Sequence, residues 1–571
     1  MARGPLRGGV ACAPIDVGHV VLDAAGPVRW VDLMSSPASA AAKHATDTSV
    51  THDERSSGHS RRRPWLWALL MLLPAVVAVH LLALAAFASP AVRLSADDWC
   101  AAARVHAFGP LGFIDYYYSK VNGRLAYHVA QVLVFADGLR GARVLPFVLI
   151  VTMTVGIFTV LYLALRHLRW RWPAAAAGLL AVVVSALTFF AGNVVYQILF
   201  WSAATVTHTL PVVLGVWNVV LLIVAARSPR RWVRVTAVVL ALFMGFVIGS
   251  LGEAFFVVGG VYAAAALMFA LLAWRDPRAR FPITWLAVWL MGTLAGFAVL
   301  YFSPGQRVRT RVAYDQAQSS IMSAQGFSEA VHGWLSSWEI ILSQPAYYVA
   351  IVTGLLVGLL ASGAALRATS LPFAGGSWTL PRTVLVAVLP AVLVGIASFG
   401  VIAGLRQGYG PSGWGYQRAW TSFLLPAIVT AALYGAAAGY WLGRRVHAWQ
   451  RNVAVPAMAA LLGVSALFST VALGSVVPRN TALVHEMTDR AKAWDQNTAA
   501  VQRQILEGKR VVQFTPTPIA ASTEPFRYIT TPDWAGNCAA VYYGVDRLVP
   551  SEEWLSTPAS EDWRELHPAA R

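Results

Sequence analysis

Two adjacent carboxylates, Asp97 and Asp98, stand out because acidic residues are scarce around them. Of the 571 residues, 12% are charged and 57% are hydrophobic, and residues 65–476 contain nine acids in all. A carboxylate in such apolar surroundings is costly unless it is paired, caps a helix or does chemistry. Within reach of a substrate hydroxyl it can act as a general base. The alternative is capping alone, because Ser95 and both aspartates precede a predicted helix that includes Trp99.

Glu253 is the second unusual acid. It lies in the segment Gly249–Ala254 between two apolar runs, where an ionisable residue is a functional-site hypothesis by default. The neighbouring glycines let another backbone, or a ligand, approach closely. The alternative is a helix-terminal residue that is hydrated among the lipid headgroups.

Arginines supply the complementary charge. Arg307, Arg309 and Arg311 alternate after Ser303-Pro304-Gly305-Gln306, so they share one face if this segment is extended. A guanidinium suits phosphate through paired hydrogen bonds, although anchoring to anionic lipid headgroups is the alternative. Arg124 ends an Asn122-Gly123-Arg124 turn that leads into a predicted helix and is a further candidate for substrate binding.

Aromatic and polar residues near predicted loops complete the candidate substrate-binding set. The Gly- and Tyr-rich segment before Arg418 includes Tyr416 and is either a mobile lid or a plain connector. Trp201 and His208 either line a pocket or pack in the interior. The sequence has no Walker loop, GxSxG, HExxH or CxxC motif, so no cofactor is predicted, and a divalent metal is left open without a motif.

These residues must be positioned by membrane helices. Eleven apolar spans are predicted, at about residues 65–88, 144–165, 173–190, 208–226, 235–251, 255–274, 282–302, 346–366, 383–403, 419–442 and 453–476. The first span begins too late in the chain and is too long for a signal peptide. The sequence therefore predicts an α-helical polytopic membrane protein.

The distribution of charge predicts the orientation. The short connections assigned to the inner face carry fifteen arginines and one acid, which places the N-terminus in the cytoplasm and the C-terminus outside. Three parts follow: a disordered cytoplasmic tail over 1–64; a membrane domain over 65–476 with outer loops 89–143, 303–345 and 404–418; and an extracytoplasmic α/β domain over 477–571. The net charge of +17 is dispersed among apolar spans, which argues against a nucleic-acid partner.

Two of the three cysteines, Cys100 and Cys538, fall on the predicted outer side, where disulfides persist. Either they are joined, which would attach the first outer loop to the C-terminal domain, or they are unrelated buried thiols.

The order of these motifs resembles the GT-C superfamily of membrane glycosyltransferases, in particular poorly characterised bacterial members. The resemblance spans most of residues 65–550, and its motifs are each short. They are Asp97-Asp98, Asn122-Gly123-Arg124, the Gly-flanked Glu253, Pro304-Gly305-Gln306 with Arg309, Trp494-Asp495, and the segment from Asn537-Cys538 to Tyr542-Tyr543-Gly544. Gln306 stands where the pattern has Asn.

The resemblance implies transfer of a sugar from a polyprenyl-phosphate donor to a cell-envelope glycan on the outer face of the bacterial plasma membrane. Asp97 or Asp98 would be the general base, the arginines would hold the leaving phosphate, and Glu253 would orient a sugar. The Ala-, Arg- and Trp-rich composition suits an actinobacterium, so arabinofuranose is the leading donor sugar by analogy and mannose the next. The alternatives are a transporter or flippase for a lipid-linked glycan and a non-catalytic envelope membrane protein.

Overall fold

The computed structural model describes residues 64–170, 172–272, 279–317, 319–362, 380–520, 522–526, 534–557 and 560. The predicted cytoplasmic tail lies outside these residues except for Pro64, where the first helix begins. Helices dominate the described part because an apolar segment in lipid has to satisfy its backbone hydrogen bonds within itself.

The part of the chain that contains the predicted spans forms helices α1 to α16. In chain order they are Pro64–Ala88, Asp97–Lys120, Leu125–Phe135, Arg140–His167, Pro173–Phe190, Ser202–His208, Leu210–Arg227, Arg231–Leu251, Glu253–Leu272, Arg280–Tyr301, Pro304–Ala317, Ala324–Leu342, Pro345–Ala361, Leu380–Tyr409, Thr421–His447 and Arg451–Gly474. Ten segments of the described residues are long and apolar enough to cross a membrane, or eleven if α12 and α13, bent by 68°, count as one. The predicted fold class, a polytopic helical membrane protein with about eleven spans, is confirmed.

Glycines bring pairs of these helices into backbone contact. A β-carbon on Gly249 of α8 would lie 2.1 Å from the carbonyl oxygen of Thr293 in α10, and one on Gly296 would lie 2.1 Å from that of Phe246. Small residues at such positions allow helices to pack closely in lipid. Gly249 therefore serves helix packing, which fixes the end of α8 immediately before Glu253.

The predicted outer loops contain much regular structure. In the first, α2 consists of two helical segments joined by a kink at Gly109, whose φ of 69° and ψ of 172° are not helical. Pro110 follows this glycine. The loop predicted over 303–345 consists largely of α11 and α12. The loop predicted over 404–418 is shorter than expected, because α14 continues to Tyr409 and only the residues after it leave the helix.

The C-terminal region is a small α/β unit. It comprises α17 (Val477–Leu506), β1 (Val511–Phe514), β2 (Thr517–Ile519), β3 (Ser522–Glu524), α18 (Trp534–Tyr543), β4 (Arg547–Pro550) and α19 (Glu552–Leu555). Strand β1 pairs in parallel with β4, with Val512 opposite Leu548, and β2 pairs antiparallel with β3. The predicted small α/β region at the C-terminus is confirmed.

An aromatic cluster and a disulfide attach the C-terminal region to the first loop. Trp99 is fully buried, and its ring lies 5.8 Å from that of Trp494 and 5.7 Å from that of Tyr542. One residue farther along α2, Cys100 is joined to Cys538 of α18 across 438 residues of sequence. The disulfide that the sequence left open is present in the structure.

Charged groups add to the same junction. Arg93 donates to both carboxylate oxygens of Asp495, at 3.0 and 2.7 Å. Arg490, which is 5% exposed, donates to the backbone carbonyl of Leu94 at 2.5 Å. A buried guanidinium needs several acceptors in fixed places. These contacts therefore fix the position of the C-terminal region against the segment that precedes Asp97.

Candidate functional site

The residues Asp97, Asp98 and Trp99 have three different environments. Asp97 is exposed and lines a cleft, Asp98 is 1% exposed, and Trp99 anchors the C-terminal region. The reason is local: successive residues at the start of α2 point about 100° apart around the helix axis. Adjacent acids in the sequence are therefore separated in space.

A strained residue sets the direction of this turn. Ala96 has φ 46° and ψ −114°, a conformation that L residues rarely adopt. Its backbone N–H donates to the carboxylate of Glu524, fully buried in the C-terminal region, at 2.9 Å. Strain of this kind persists only where the surroundings enforce it. The C-terminal region thus holds the backbone that presents Asp97.

Asp98 has a structural partner. Its Oδ1 accepts the backbone N–H of Ala203 at 2.9 Å, at the first turn of α6. Burial raises the pKa of the Asp98 carboxyl well above its usual range, although the Ala203 N–H opposes the rise. Asp98 therefore caps α6. The capping alternative had assigned it to its own helix, α2. The other carboxylate oxygen of Asp98, Oδ2, is shielded from solvent and has no hydrogen-bond partner among the described residues.

Glu253 lies between two guanidinium groups. Arg124 donates to Oε2 through Nε at 3.2 Å and Nη2 at 2.7 Å, and Arg309 Nη1 lies 3.7 Å from Oε1. The Arg124 side chain is 14% exposed and that of Arg309 25%, so both charges are largely removed from water. With two arginines around one carboxylate, the cluster has one excess positive charge.

Two glycines position these arginines. A β-carbon on Gly123 would lie 2.1 Å from the carbonyl oxygen of Leu300, and one on Gly305 would lie 2.6 Å from that of Tyr118. Only glycine permits such an approach between the Asn122-Gly123-Arg124 turn and the start of α11. The two short motifs are therefore in contact, which places Arg124 and Arg309 on either side of Glu253.

The arginine-rich segment is helical, so the extended conformation in which its three arginines would share one face is not adopted. It forms α11, and in a helix residues two apart lie on opposite faces. Arg309 faces Glu253, whereas Arg307 and Arg311 are exposed. Arg309 alone of the three therefore belongs to the charged cluster.

A cavity of about 540 Å³ opens next to Glu253. Arg124, His208 and Arg309 line its charged end. Farther along the spans its wall is mainly apolar, formed by Phe256, Val257, Phe297, Gly400, Val401, Gly404 and Leu405. A ligand that complements this cavity has an anionic group and a long apolar part.

Two polar atoms at the charged end are unpartnered. Among the described residues, neither Nδ1 of His208 nor Oε1 of Gln306 has a hydrogen-bond partner, although both are shielded from solvent. Both residues line the cavity. Buried polar atoms in proteins are nearly always satisfied, so both are available to a bound ligand. The sequence identified His208 as a candidate, and Gln306 only through the family pattern.

Aromatic residues support the charged cluster from the side. Arg309 Nη2 donates to the hydroxyl of Tyr409 at 2.9 Å, and the ring of Tyr409 lies 4.4 Å from that of Tyr416. Arg418 lies 4.8 Å above the Tyr416 ring and 5.1 Å above the Trp201 ring. Cation–π contacts of this kind fix an arginine without neutralising it. Tyr416, Arg418 and Trp201 are thus a layer adjoining the cavity rather than its wall.

The segment after α14 is folded onto its surroundings. A β-carbon on Gly413 would lie 2.3 Å from the carbonyl oxygen of Leu405, and the side chain of Trp414 covers Gly333 of α12. These contacts give the aromatic residues defined positions, which a plain flexible connector would lack.

Asp97 lines a second cavity. A cleft of about 380 Å³ is formed by Asp97, Cys100, Ala103, Arg104, Tyr117, Val121, Trp534, Asn537, Cys538 and Val541. It shares no lining residue with the cavity at Glu253, so the two acids do not converge on one pocket. Burial raises the pKa of the Tyr127 phenol between them. The two pockets are neighbours, because the ring of His128, one helical turn after Arg124, lies 5.1 Å from the ring of Tyr117.

The sequence did not identify Arg104 or Tyr117 as site residues. Arg104 donates to the Tyr117 hydroxyl at 3.0 Å. The seven-residue spacing from Asp97 to Arg104 was a usable signal, because it places both on one face of a helix. No sequence signal pointed to Tyr117, because the kink at Gly109 is what brings this residue to the cleft. In the described part of the chain, no group of three or more His, Cys, Asp and Glu is placed to hold a metal ion.

The fold and the span count define the chain as an integral multi-pass membrane protein. No family model, curated protein or solved structure matches it.

Proposed function

We propose that this protein is a membrane glycosyltransferase that uses a polyprenyl-phosphate sugar. The observation that carries the proposal is the charged cluster of Glu253, Arg124 and Arg309 at one end of a cavity whose remaining wall is largely apolar. A polyprenyl phosphate has the same two parts, an anion and a long hydrocarbon chain. The GT-C-like order of the sequence motifs supports the same class of donor.

The acceptor would be a cell-envelope glycan and the donor sugar arabinofuranose, with mannose as the second candidate. Arg309 is the favoured phosphate ligand, because it holds Glu253 by a single long contact of 3.7 Å and so has capacity for a second anion. Arg124 is committed to Glu253 through two hydrogen bonds and would mainly position that carboxylate.

In the proposed reaction, Asp97 takes the proton from an acceptor hydroxyl as the oxygen attacks the anomeric carbon. The bond from that carbon to the phosphate oxygen breaks, and polyprenyl phosphate leaves. Arg309 stabilises the negative charge that develops on the leaving group. The donor sugar would extend past Tyr127 from one pocket towards the other. Asp97 is preferred to Asp98 as the base because only Asp97 is exposed.

The competing function is transport of a lipid-linked glycan. Transporter sites usually lie near the middle of the membrane. Here the charged cluster lies at the ends of the spanning helices. Glu253 is the first residue of α9, and Arg309 lies in α11, the short helix directly after α10. This position favours chemistry at one membrane face, and transport is an outcome that the same assay can detect.

The test is transfer from labelled polyprenyl-phosphate sugars in membranes that contain wild-type protein or the variants Asp97→Asn, Asp98→Asn and Glu253→Gln at matched levels. We expect Asp97→Asn to abolish transfer, and Glu253→Gln to reduce it because Arg124 loses its partner. Asp98→Asn should act mainly through protein stability. Full transfer by Asp97→Asn would remove the catalytic assignment, and movement of intact donor across the membrane without transfer would favour the transporter.

A further inference from the structure

The cleft at Asp97 carries an inference of its own, because its walls are two helices that face each other. On α2, Asp97, Cys100 and Arg104 recur at spacings of three and four residues. On α18, Trp534, Asn537, Cys538 and Val541 recur at spacings of three, one and three residues. Both patterns describe a single helix face. The disulfide between Cys100 and Cys538 joins the two faces.

The third wall comes from the kink in α2. After Gly109, the second half of the helix brings Tyr117 and Val121 to the cleft. Arg104 lies 5.3 Å above the Tyr117 ring and also donates to its hydroxyl. The phenol and the guanidinium are therefore held in fixed positions, so that less entropy is lost when a ligand binds.

The chemistry of the lining fits one class of ligand. Asp97 accepts hydrogen bonds, Arg104 donates them, and the Asn537 amide does both. The charges of Asp97 and Arg104 cancel, so the lining of the cleft has no net charge that would favour an ionic ligand. Trp534 and Tyr117 add aromatic surface beside these groups. A neutral polyhydroxylated ring has C–H faces that stack on aromatic groups and hydroxyls that both donate and accept.

We propose that this cleft is a carbohydrate-binding site, distinct from the charged cavity at Glu253. Its volume of about 380 Å³ lies within the usual range for ligand pockets, about 300–1,000 Å³. Binding of carbohydrate here needs no donor and no catalysis. That the bound carbohydrate is the acceptor of transfer rests on the proposed function.

The test is saturation-transfer NMR on purified full-length protein in lipid nanodiscs, with linear arabino- and manno-oligosaccharides as probes and no polyprenyl donor. We expect wild-type protein to bind at least one series. Trp534→Ala and Asn537→Ala should each weaken binding about tenfold, which is the usual cost of losing one aromatic or hydrogen-bonding contact. Trp534→Tyr should retain most of the affinity because it keeps an aromatic face.

Gln496→Ala is the matched control, since Gln496 is an exposed amide on α17 that does not line the cleft. It should bind as wild type does. Absence of oligosaccharide binding to the wild type, or unchanged affinity in both Trp534→Ala and Asn537→Ala, would overturn the proposal. Preferential binding of an anionic lipid headgroup at Trp534 would also overturn it. If oligosaccharide binds but no sugar is transferred in any donor assay, this proposal stands and the proposed function fails.

Discussion

At the scale of single residues, charge and its removal from water decide which groups remain available to a ligand. One carboxylate oxygen of Asp98 accepts the Ala203 N–H, and Arg124 donates to the Glu253 carboxylate. Asp97 and Arg309 each line a cavity, and the contact of Arg309 with Glu253 is long, at 3.7 Å. The aspartates were predictable as candidates because acids are rare between the apolar spans, and the arginines because of the short motifs in which they stand. The sequence did not separate Asp97 from Asp98, because their difference arises from the packing of α6 against α2.

Arg309→Ala should weaken binding of a polyprenyl-phosphate sugar by about tenfold to hundredfold, because a charge-assisted hydrogen bond contributes about 1.5–3 kcal/mol. Equilibrium binding of labelled donor to purified protein measures this. Arg307→Ala and Arg311→Ala are matched controls in the same helix and should leave the affinity unchanged, since both side chains are exposed. An equal loss in all three variants would indicate attraction to the lipid surface instead of a phosphate site.

Ala96→Gly should stabilise the protein by about 1 kcal/mol, because glycine adopts the backbone angles of this position without the steric penalty. Equilibrium unfolding of purified protein in mixed micelles measures the difference. Ala107→Gly, at an exposed helical position of α2, should have the opposite effect. Destabilisation by Ala96→Gly would show that the backbone there is not strained.

At the scale of elements, close contacts between backbones place the charged cluster. Gly123 and Gly305 bring the turn before α3 against the start of α11, and Gly249 and Gly296 do the same for α8 and α10. The sequence suggested that such glycines permit close approach, but not which pairs meet. A shared face for the three arginines was inferred only for an extended segment. Pro304, which favours the first turn of a helix, instead starts α11.

Gly305→Ala should lower donor affinity although the residue does not line the cavity. The new methyl group would lie 2.6 Å from the Tyr118 carbonyl oxygen, so α11 has to shift and Arg309 with it. Overpacking of this kind costs about 1–3 kcal/mol. Thermal unfolding and donor binding should both worsen. Gly178→Ala, where a β-carbon meets no atom within 4 Å, should worsen neither. Equal behaviour of the two variants would contradict this account of the contact.

At the scale of the whole molecule, the C-terminal region and the first loop behave as one structure. Hydrophobic runs of spanning length were sufficient to predict the helical membrane fold and its approximate span count, because lipid leaves few alternatives for the backbone. Contacts between residues hundreds of positions apart, such as Ala96 with Glu524 or Trp99 with Trp494, have no local signal. The two separate pockets depend on those contacts and were not predictable. Which membrane face they occupy remains a prediction from the arginine distribution.

Cys538→Ser should loosen the C-terminal region. Loss of a disulfide that closes a long loop typically costs about 2–5 kcal/mol, and this bridge closes 438 residues. Limited proteolysis should cut the C-terminal region faster in the variant, and reduction of the wild type should have the same effect. Cys12→Ser, which leaves the bridge intact, is the control. Equal proteolysis of reduced and oxidised protein would show that the aromatic and charged contacts suffice.

Phosphate binding by Arg309 and proton abstraction by Asp97 are separated by one paired measurement. Donor binding and sugar transfer are measured on the same preparations of wild type, Asp97→Asn and Arg309→Ala. We predict that Asp97→Asn binds donor normally and transfers none, whereas Arg309→Ala loses donor affinity and recovers part of its transfer at high donor concentration. Normal transfer by Asp97→Asn together with normal donor binding by Arg309→Ala would contradict the account.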